Sequence, residues 1–399
     1  MKNLTGKCVL LGITGGIAAY KMANVASALH KAGAKVHVIM TENATKFITP
    51  LTFETLTGSK CMVDTFDREF EFDVRHISVA KESDLILIAP ATADIIAKMA
   101  HGIADDMLST VVLAAKCKKL AAPSMNTAML ENPITQDNIS LLRKYGFTII
   151  DSASGYLACG DTGKGRMPEP SVIQDAIEAI ASKDRYLTGK KVLVTAGPTQ
   201  EALDPVRYIT NHSSGKMGYE LARAARNAGA EVTLVAGKTA LADPVGIEVV
   251  PIVSAADLAE AVLSRSESQD VIIMAAAVAD YTPVTVVDQK IKKSEGEFCV
   301  PLKRTTDVLK ALGERKKTGQ ILIGFAMETQ NLIENAGKKL ASKNADYIVA
   351  NSIADAGAGF GVDTNKVTIL SKDGENSLGL LSKEETAEKI LEFCVKKES

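Results

Sequence analysis

Two stretches of this sequence combine residue types and spacings that could do chemistry. The first is Gly12-Ile13-Thr14-Gly15-Gly16-Ile17. It follows a β-branched run, where glycines let the backbone approach a ligand and the start of the next helix offers free N–H groups to a phosphate. A plain tight turn reads the same way. The spacing is not GxGxxG, and no acidic residue closes the second run, which passes from 36–40 into Thr41-Glu42-Asn43. A mononucleotide therefore suits the loop better than a dinucleotide. The second stretch runs from Asp204 through Arg207, Asn211, His212, Ser213, Ser214 and Gly215 to Lys216. Ahead of a helix, these residues form an anion-binding constellation or equally a capped helix start, and they lack the GxxxxGK[ST] phosphate-loop spacing. The six cysteines (Cys8, Cys61, Cys117, Cys159, Cys299, Cys394) contain no CxxC pair. They form neither a disulfide framework nor a zinc site, so a functional cysteine here acts as a free thiol, and a reducing cytoplasm is the expected location.

The elements that position these loops alternate along the chain. Short β-branched runs at 9–13, 36–40, 85–89, 147–150, 191–196, 232–236, 271–276, 321–325 and 347–350 are separated by Ala-rich stretches at helical spacing. Runs without in/out alternation are covered on both faces, which predicts mostly parallel sheets sandwiched by helices, an α/β, Rossmann-like architecture. A strand–helix–Ala-Gly-Ala–strand unit occurs twice, around Gly33 and around Gly229, each glycine suited to a left-handed position after its helix. Two tandem domains follow, 1–186 and 187–399, with a terminal helix and linker across 171–188. With 399 residues, two or three domains fit. Lys+Arg 46 against Asp+Glu 48 gives 46 − 48 = −2, which argues against a bulk nucleic-acid binder. No apolar run approaches the roughly 18 residues of a membrane span, so no membrane partner is expected.

Further motifs carry a family resemblance. Residues 12–21, His76, Pro90-Ala91-Thr92-Ala93-Asp94, the run 101–106 and Pro123-Ser124-Met125-Asn126-Thr127-Ala128-Met129 resemble the homo-oligomeric flavin-containing cysteine decarboxylases. The resemblance implies a flavodoxin-like flavin domain binding FMN through Gly12, Thr14, Gly15, Thr41, Ala91, Thr92 and Met125. It implies catalytic roles for His76 as base, Asn126 as a carboxylate-binding group and Cys159, on the Gly155–Gly160 flap, as proton donor. A β-thiol carboxylate cannot lose CO₂ directly. Oxidation of the thiol to a thioaldehyde supplies the electron sink, and a thiol of ordinary pKa near 8.5 is a competent acid for the product enethiolate. One departure is Asp94, where the family usually has Asn.

The second half resembles the phosphopantothenate–cysteine ligase domain. The match runs through 204–218, Met274-Ala275-Ala276-Ala277-Val278-Ala279-Asp280, Lys290, Thr306-Asp307-Val308-Leu309 and Phe325 to Lys339 and Lys343. Two lysines four apart on one helix face repel by roughly 0.2–0.5 kcal/mol unless solvent screens them or an anion lies between them. With Lys290 converging, a triphosphate is the sharper reading. The resemblance implies that 4′-phosphopantothenate attacks CTP to give an acyl-cytidylate, which the amine of L-cysteine then converts to the amide, with Mg²⁺ assisting. Lys290 and Asn211 take catalytic roles, and Arg207 and Asn211 hold substrate. Met274, Ala275, Ala276, Asp280, Lys290, Thr306, Asp307, Val308, Leu309, Phe325, Lys339 and Lys343 hold the nucleotide. His212 stands where Arg is more usual. No metal ligand is named by the pattern. Decarboxylase then ligase on one chain resembles the bifunctional enzymes of coenzyme A biosynthesis, which implies a homo-oligomer, up to a dodecamer of flavin-domain trimers and ligase-domain dimers.

Overall fold

Buried on both faces, the apolar runs become the strands of two sheets. The computed structural model describes residues 4–66, 75–157, 160–182, 185–292, 298–328, 332–352 and 362–396. The chain divides into two units, Met1–Ala181 and Ser182–Ser399.

The first unit is built on β1 (Cys8–Ile13), β2 (Lys35–Met40), β3 (Leu85–Ala91), β4 (Lys118–Pro123) and β5 (Phe147–Ile149). They lie in the order β2-β1-β3-β4-β5, all parallel. Every residue of β1 and β3 is buried, as unalternated runs require. Side chains such as Leu10, Leu11, Ile86 and Leu87 are fully enclosed, each stabilising the fold by about 1.5–3 kcal/mol. Strand order reverses between β1 and β3, which opens a crevice beyond their carboxyl ends. An antiparallel hairpin, β6 (Ala153–Tyr156) and β7 (Thr162–Arg166), follows the sheet, and the helix Pro170–Ala181 closes the unit.

The second unit contains β8 (Lys191–Ala196), β9 (Gln200–Ala202), β10 (Tyr208–Thr210), β11 (Glu231–Ala236), β12 (Glu248–Pro251), β13 (Val271–Met274), β14 (Tyr281–Pro283), β15 (Leu302–Arg304), β16 (Ile321–Glu328), β17 (Tyr347–Ser352), β18 (Thr364–Asn365), β19 (Val367–Ser371) and β20 (Gly374–Ser377). Its main sheet runs β12-β11-β8-β13-β16-β17-β19-β20. The first six strands are parallel, and the last two join antiparallel. Order again reverses, here between β8 and β13. The runs of the sequence did not point to β12, β19 or β20. These sit at or near the sheet's ends, where incomplete cover lets polar residues enter the strand. Gly33 (φ +82°) and Gly229 (φ +97°) both take the left-handed conformation expected of the repeated Ala-Gly-Ala.

Candidate functional site

In the first unit, the loops after β1, β2, β3 and β4 meet the β6–β7 hairpin around a cavity of about 1030 Å³. Thr14, Gly15, Thr41, Thr92, Met125 and Asn126 line it, together with Ile17, Lys21, Met129, Tyr156 and Met167. The walls are thus largely apolar, edged by the amide-rich starts of the helix Ala93–His101 and of the 3₁₀ turn Ile17–Lys21. The ensemble offers both an apolar slot for a flat ring and N–H donors for a phosphate.

Local chemistry sets the position of each wall. The Thr14 hydroxyl, 2% exposed, donates to Pro90 O at 2.6 Å and accepts from Thr92 N at 3.3 Å. It therefore ties the β1 loop to the β3 loop, and its donor is spent within the protein. A Cβ on Gly15 would stand 2.5 Å from Asn43 Cβ, so glycine there lets the loops after β1 and β2 close together. Gly12 has a different role from the one expected. A Cβ would meet Leu108 Cδ1 at 2.5 Å, and the residue is not part of the cavity lining. Its glycine serves the packing of the helix Met107–Ala114 on β1. Ala91 also lies outside the lining, buried at the end of β3. Asp94 is among the residues that line the cavity, its side chain 72% exposed, with Lys98 Nζ at 3.7 Å. Lys98, which also lines the cavity, pairs in addition with Asp105 (2.9 Å) and Asp106 (3.3 Å), so the carboxylate at position 94 stands beside a cation.

The hairpin lies flat on the loop after β4. Met125 N donates to Gly165 O at 3.0 Å, and Thr127 Oγ1 donates to Lys164 O at 2.7 Å. Gly165 has φ +124°, and a Cβ there would stand 2.2 Å from Met125 O, so only glycine permits this contact. Asn126 caps the short helix Thr127–Glu131 by accepting from Ala128 N at 2.8 Å, while its Nδ2 reaches Asp161 Oδ2 at 3.4 Å. The amide therefore spans the loop and the hairpin. His76 is half-buried in the first turn of the helix Arg75–Glu82 and is not among the residues lining this cavity. Cys159 lies outside the described residues.

In the second unit a cavity of about 640 Å³ is lined by Met274, Ala276, Asp280, Thr306, Asp307, Val308, Leu309, Phe325, Lys339 and Lys343, joined by Arg304, Lys338 and Ser342. It opens between the ends of β13 and β16. The crevice at the strand reversal, between β8 and β13, is closed instead. Ala277 N donates to Gly197 O (2.9 Å), and Thr199 N donates to Ala277 O (3.2 Å). The hydroxyls of Thr195 and Thr199 accept from Ala276 N and Ala279 N, both at 3.0 Å. Ala275 takes no part in the lining.

Three lysines and an arginine bring cations to this cavity. Lys339, in the helix Leu332–Ser342, donates to Phe325 O at 2.8 Å. Lys343, one residue past the helix, pairs with Asp307 at 2.5 Å. Asp307 also caps the helix Val308–Arg315 by accepting from Lys310 N, and Lys343 helps hold its carboxyl below the usual range against the opposing effect of burial. The two lysines thus have partners besides each other, and the repulsion inferred from their spacing is relieved inside the protein. Lys290 is exposed and outside the lining. Asn211 reaches the rim, its Nδ2 donating to Ala277 O (3.2 Å) and Val278 O (3.1 Å). Arg207 does not face the cavity. Its guanidinium is bound to Asp204 (Nε 3.0 Å, Nη2 2.6 Å) and to Ile291 O (2.8 Å). Sequence reasoning left Arg304, Lys338 and Asp204 unassigned. Lys338 stands beside Lys339, and Asp204 opens the stretch that leads to Lys216; Arg304 had no such local signal.

Among the described residues, Cys8, His37 and Glu82 bring three potential metal donors within 4.8 Å of one another. They sit at the amino edge of the first sheet, away from its cavity, and Glu82 already binds Lys35 (2.7 Å) and His37 (3.1 Å). A sulfur–nitrogen–oxygen set does not suit Mg²⁺, which prefers oxygen alone. No described helix is long and apolar enough to cross a membrane.

Comparison with known proteins agrees with this division. Residues 1–182 match the family described as Flavoprotein, and residues 187–397 match the DNA/pantothenate metabolism flavoprotein C-terminal domain. The coenzyme A biosynthesis bifunctional protein CoaBC of Bacillus subtilis is 50% identical over 393 residues, covering 98% of this chain and 97% of its own. The CoaBC of Vibrio cholerae is 44% identical, covering 98% of each. A cysteine/cysteine sulfinic acid decarboxylase from an unknown prokaryotic organism is 46% identical over 350 residues, covering 86% of this chain and 98% of its own.

Proposed function

This chain belongs to the family of coenzyme A biosynthesis bifunctional proteins, and on that premise we propose that it runs two successive reactions in its two cavities. In the carboxyl-terminal unit the carboxylate of 4′-phosphopantothenate attacks the α-phosphate of CTP. Pyrophosphate leaves, and the amine of L-cysteine displaces CMP from the acyl-cytidylate to form the amide. Lys339, Lys343, Lys338 and Arg304 neutralise charge that grows on the departing phosphates, with Mg²⁺ entering alongside the triphosphate. Lys343 exchanges its Asp307 partner for phosphate oxygen, so the lysine is held extended before the nucleotide arrives. Asn211, already donating to two carbonyls, orients the acyl-cytidylate, and Lys290 adds a further cation to the reaction.

In the amino-terminal unit the product is decarboxylated to 4′-phosphopantetheine. FMN fits the apolar walls and amide-rich edges of the larger cavity, held by Gly15, Thr41, Thr92 and Met125. Bound there, it would supply a two-electron acceptor for conversion of the thiol to the thioaldehyde that lets CO₂ depart, and the source of the same two electrons for the final reduction. Asn126 binds the substrate carboxylate without the full positive charge that would oppose its loss. Cys159 protonates the enethiolate. A homo-oligomer built from trimers of this unit would let His76, which is outside its own cavity's lining, reach a neighbouring copy's substrate as the base. A cytoplasmic location fits these soluble substrates.

The observation that carries this reading is the presence, on one chain, of an apolar-walled cavity and a lysine-rich cavity, each at the carboxyl edge of its own parallel sheet. The test supplies purified protein with 4′-phosphopantothenate, cysteine and CTP, while following pyrophosphate, CO₂ and flavin absorbance. Equal yields of pyrophosphate and CO₂ from yellow protein are expected. CO₂ released from cysteine alone, without CTP, would instead make free cysteine the substrate.

A further inference from the structure

Resting on the ligase reading, we propose that Asp204 is a positioning residue: with Arg207 it grips Ile291 at both its backbone N–H and its C=O, and so fixes the backbone from which Lys290 reaches. Asp204 lies in the turn between β9 and β10. Its Oδ1 accepts from the amides of Val206 and Arg207, both at 2.8 Å. Its Oδ2 accepts from Arg207 Nε (3.0 Å), Arg207 Nη2 (2.6 Å) and Ile291 N (3.1 Å). Arg207 Nη2 then donates onward to Ile291 O at 2.8 Å. The two side chains therefore read both backbone polar atoms of one residue, 87 positions from Asp204 and 84 from Arg207.

Physical economy explains why such a group is present. The Asp204 side chain has no exposure, and a buried carboxylate is costly unless its lone pairs are filled. Here five donors fill them, and the Arg207 guanidinium holds the carboxyl well below the usual range. Residues 285–292 form no strand or helix, and past Val284, whose N–H donates to Pro301 O at 3.0 Å, no ladder orders this strap. Besides the grip on Ile291, Val287 N is tied to Leu203 O at 3.2 Å, on the same turn. Both tethers thus converge on residues 203–207, next to β10 and Asn211. A lysine on an untethered strap would sample many positions, whereas charge stabilisation needs it in one.

The experiment uses the full chain and measures pyrophosphate release from CTP and 4′-phosphopantothenate. Asp204→Asn should lower kcat about 10–100-fold, the scale of a small misplacement, with KM for CTP within about twofold. Decarboxylation of supplied phosphopantothenoylcysteine should not change, and trypsin should cut after Lys290 or Lys292 faster. In a Lys290→Gln background the same change should cost less than about twofold, because two residues acting through one group are not additive. Arg207→Lys, which keeps the charge but not the fork, should reproduce the kcat loss and serves if Asp204→Asn does not fold. An active wild type in which these changes leave kcat intact, or cost the same factor with and without Lys290, overturns this inference alone. A wild type that releases no pyrophosphate overturns the ligase reading and this inference with it.

Discussion

The two sheets reverse their strand order in the same way and use the reversal differently. In the amino-terminal unit the crevice at the reversal stays open, and the larger cavity occupies it. In the carboxyl-terminal unit, backbone and threonine hydrogen bonds between 195–199 and 276–279 close the equivalent crevice, and the cavity opens one strand further on. Topology permits a crevice at the reversal. Whether it stays open depends on whether the loop polar groups satisfy one another or are left for a ligand. The contents differ accordingly: the first cavity's wall is more apolar than polar and carries charges of both signs, whereas the second gathers Lys338, Lys339, Lys343 and Arg304.

The sharpest way to break this comparison is to change the charge of one residue in each unit's proposed chemistry. Lys290→Gln should lower pyrophosphate release by about 100-fold or more, the scale seen when one stabilising group is lost, while supplied phosphopantothenoylcysteine is decarboxylated normally. Asn126→Asp should do the reverse. It sets a carboxylate beside Asp161 and against the substrate's own carboxylate, so CO₂ release should fall at least about tenfold with ligation intact. If either folded variant lost both activities, the division of labour between the units would be wrong.

A second comparison concerns how helices approach the first strand of each sheet. A Cβ on Gly218 would stand 2.5 Å from Ala196 Cβ and 2.8 Å from Thr195 O, neither of which can move aside. Gly218→Ala should therefore destabilise its unit by about 1–3 kcal/mol. Gly12→Ala meets only the rotatable tip of Leu108 and should cost less than about 1.5 kcal/mol. Calorimetry is the suitable measurement, since the chain has no tryptophan.

The smallest effect is expected with pH. Lys35 and His37 hold the Glu82 carboxyl at about 2, below its ordinary 4.5. Its folded value is depressed, so its contribution is complete above the ordinary value and is lost as pH falls toward 2. Glu82 is 45% exposed, and solvent screening limits the effect to at most about 1 kcal/mol. The unfolding temperature of the amino-terminal unit should fall more steeply between pH 4.5 and 2 in wild type than in Glu82→Gln. Parallel curves would show that the pair contributes nothing.

Much of the fold was legible because unbroken β-branched runs and the repeated Ala-Gly-Ala carry their meaning locally. Strands such as β1, β8 and β11 fall where the runs predicted them. Most cavity-lining candidates were legible too, since they lie in loops directly after those strands. The failures share a cause. Gly12 looked like part of a ligand loop, but its missing Cβ makes room for Leu108, 96 residues on. Arg207 looked like a substrate anchor, but a buried carboxylate three residues away and a peptide 84 residues away already occupy it.

The sequence by itself determined two parallel sheets and the loops at their carboxyl ends, because covering a continuous apolar strand on both faces is a demand each run makes on its own. Only the tertiary structure decided which of those loops stay open and which side chains remain available to a ligand. A polar group's availability depends on every partner the fold brings within hydrogen-bond reach, and those partners come from distant parts of the chain.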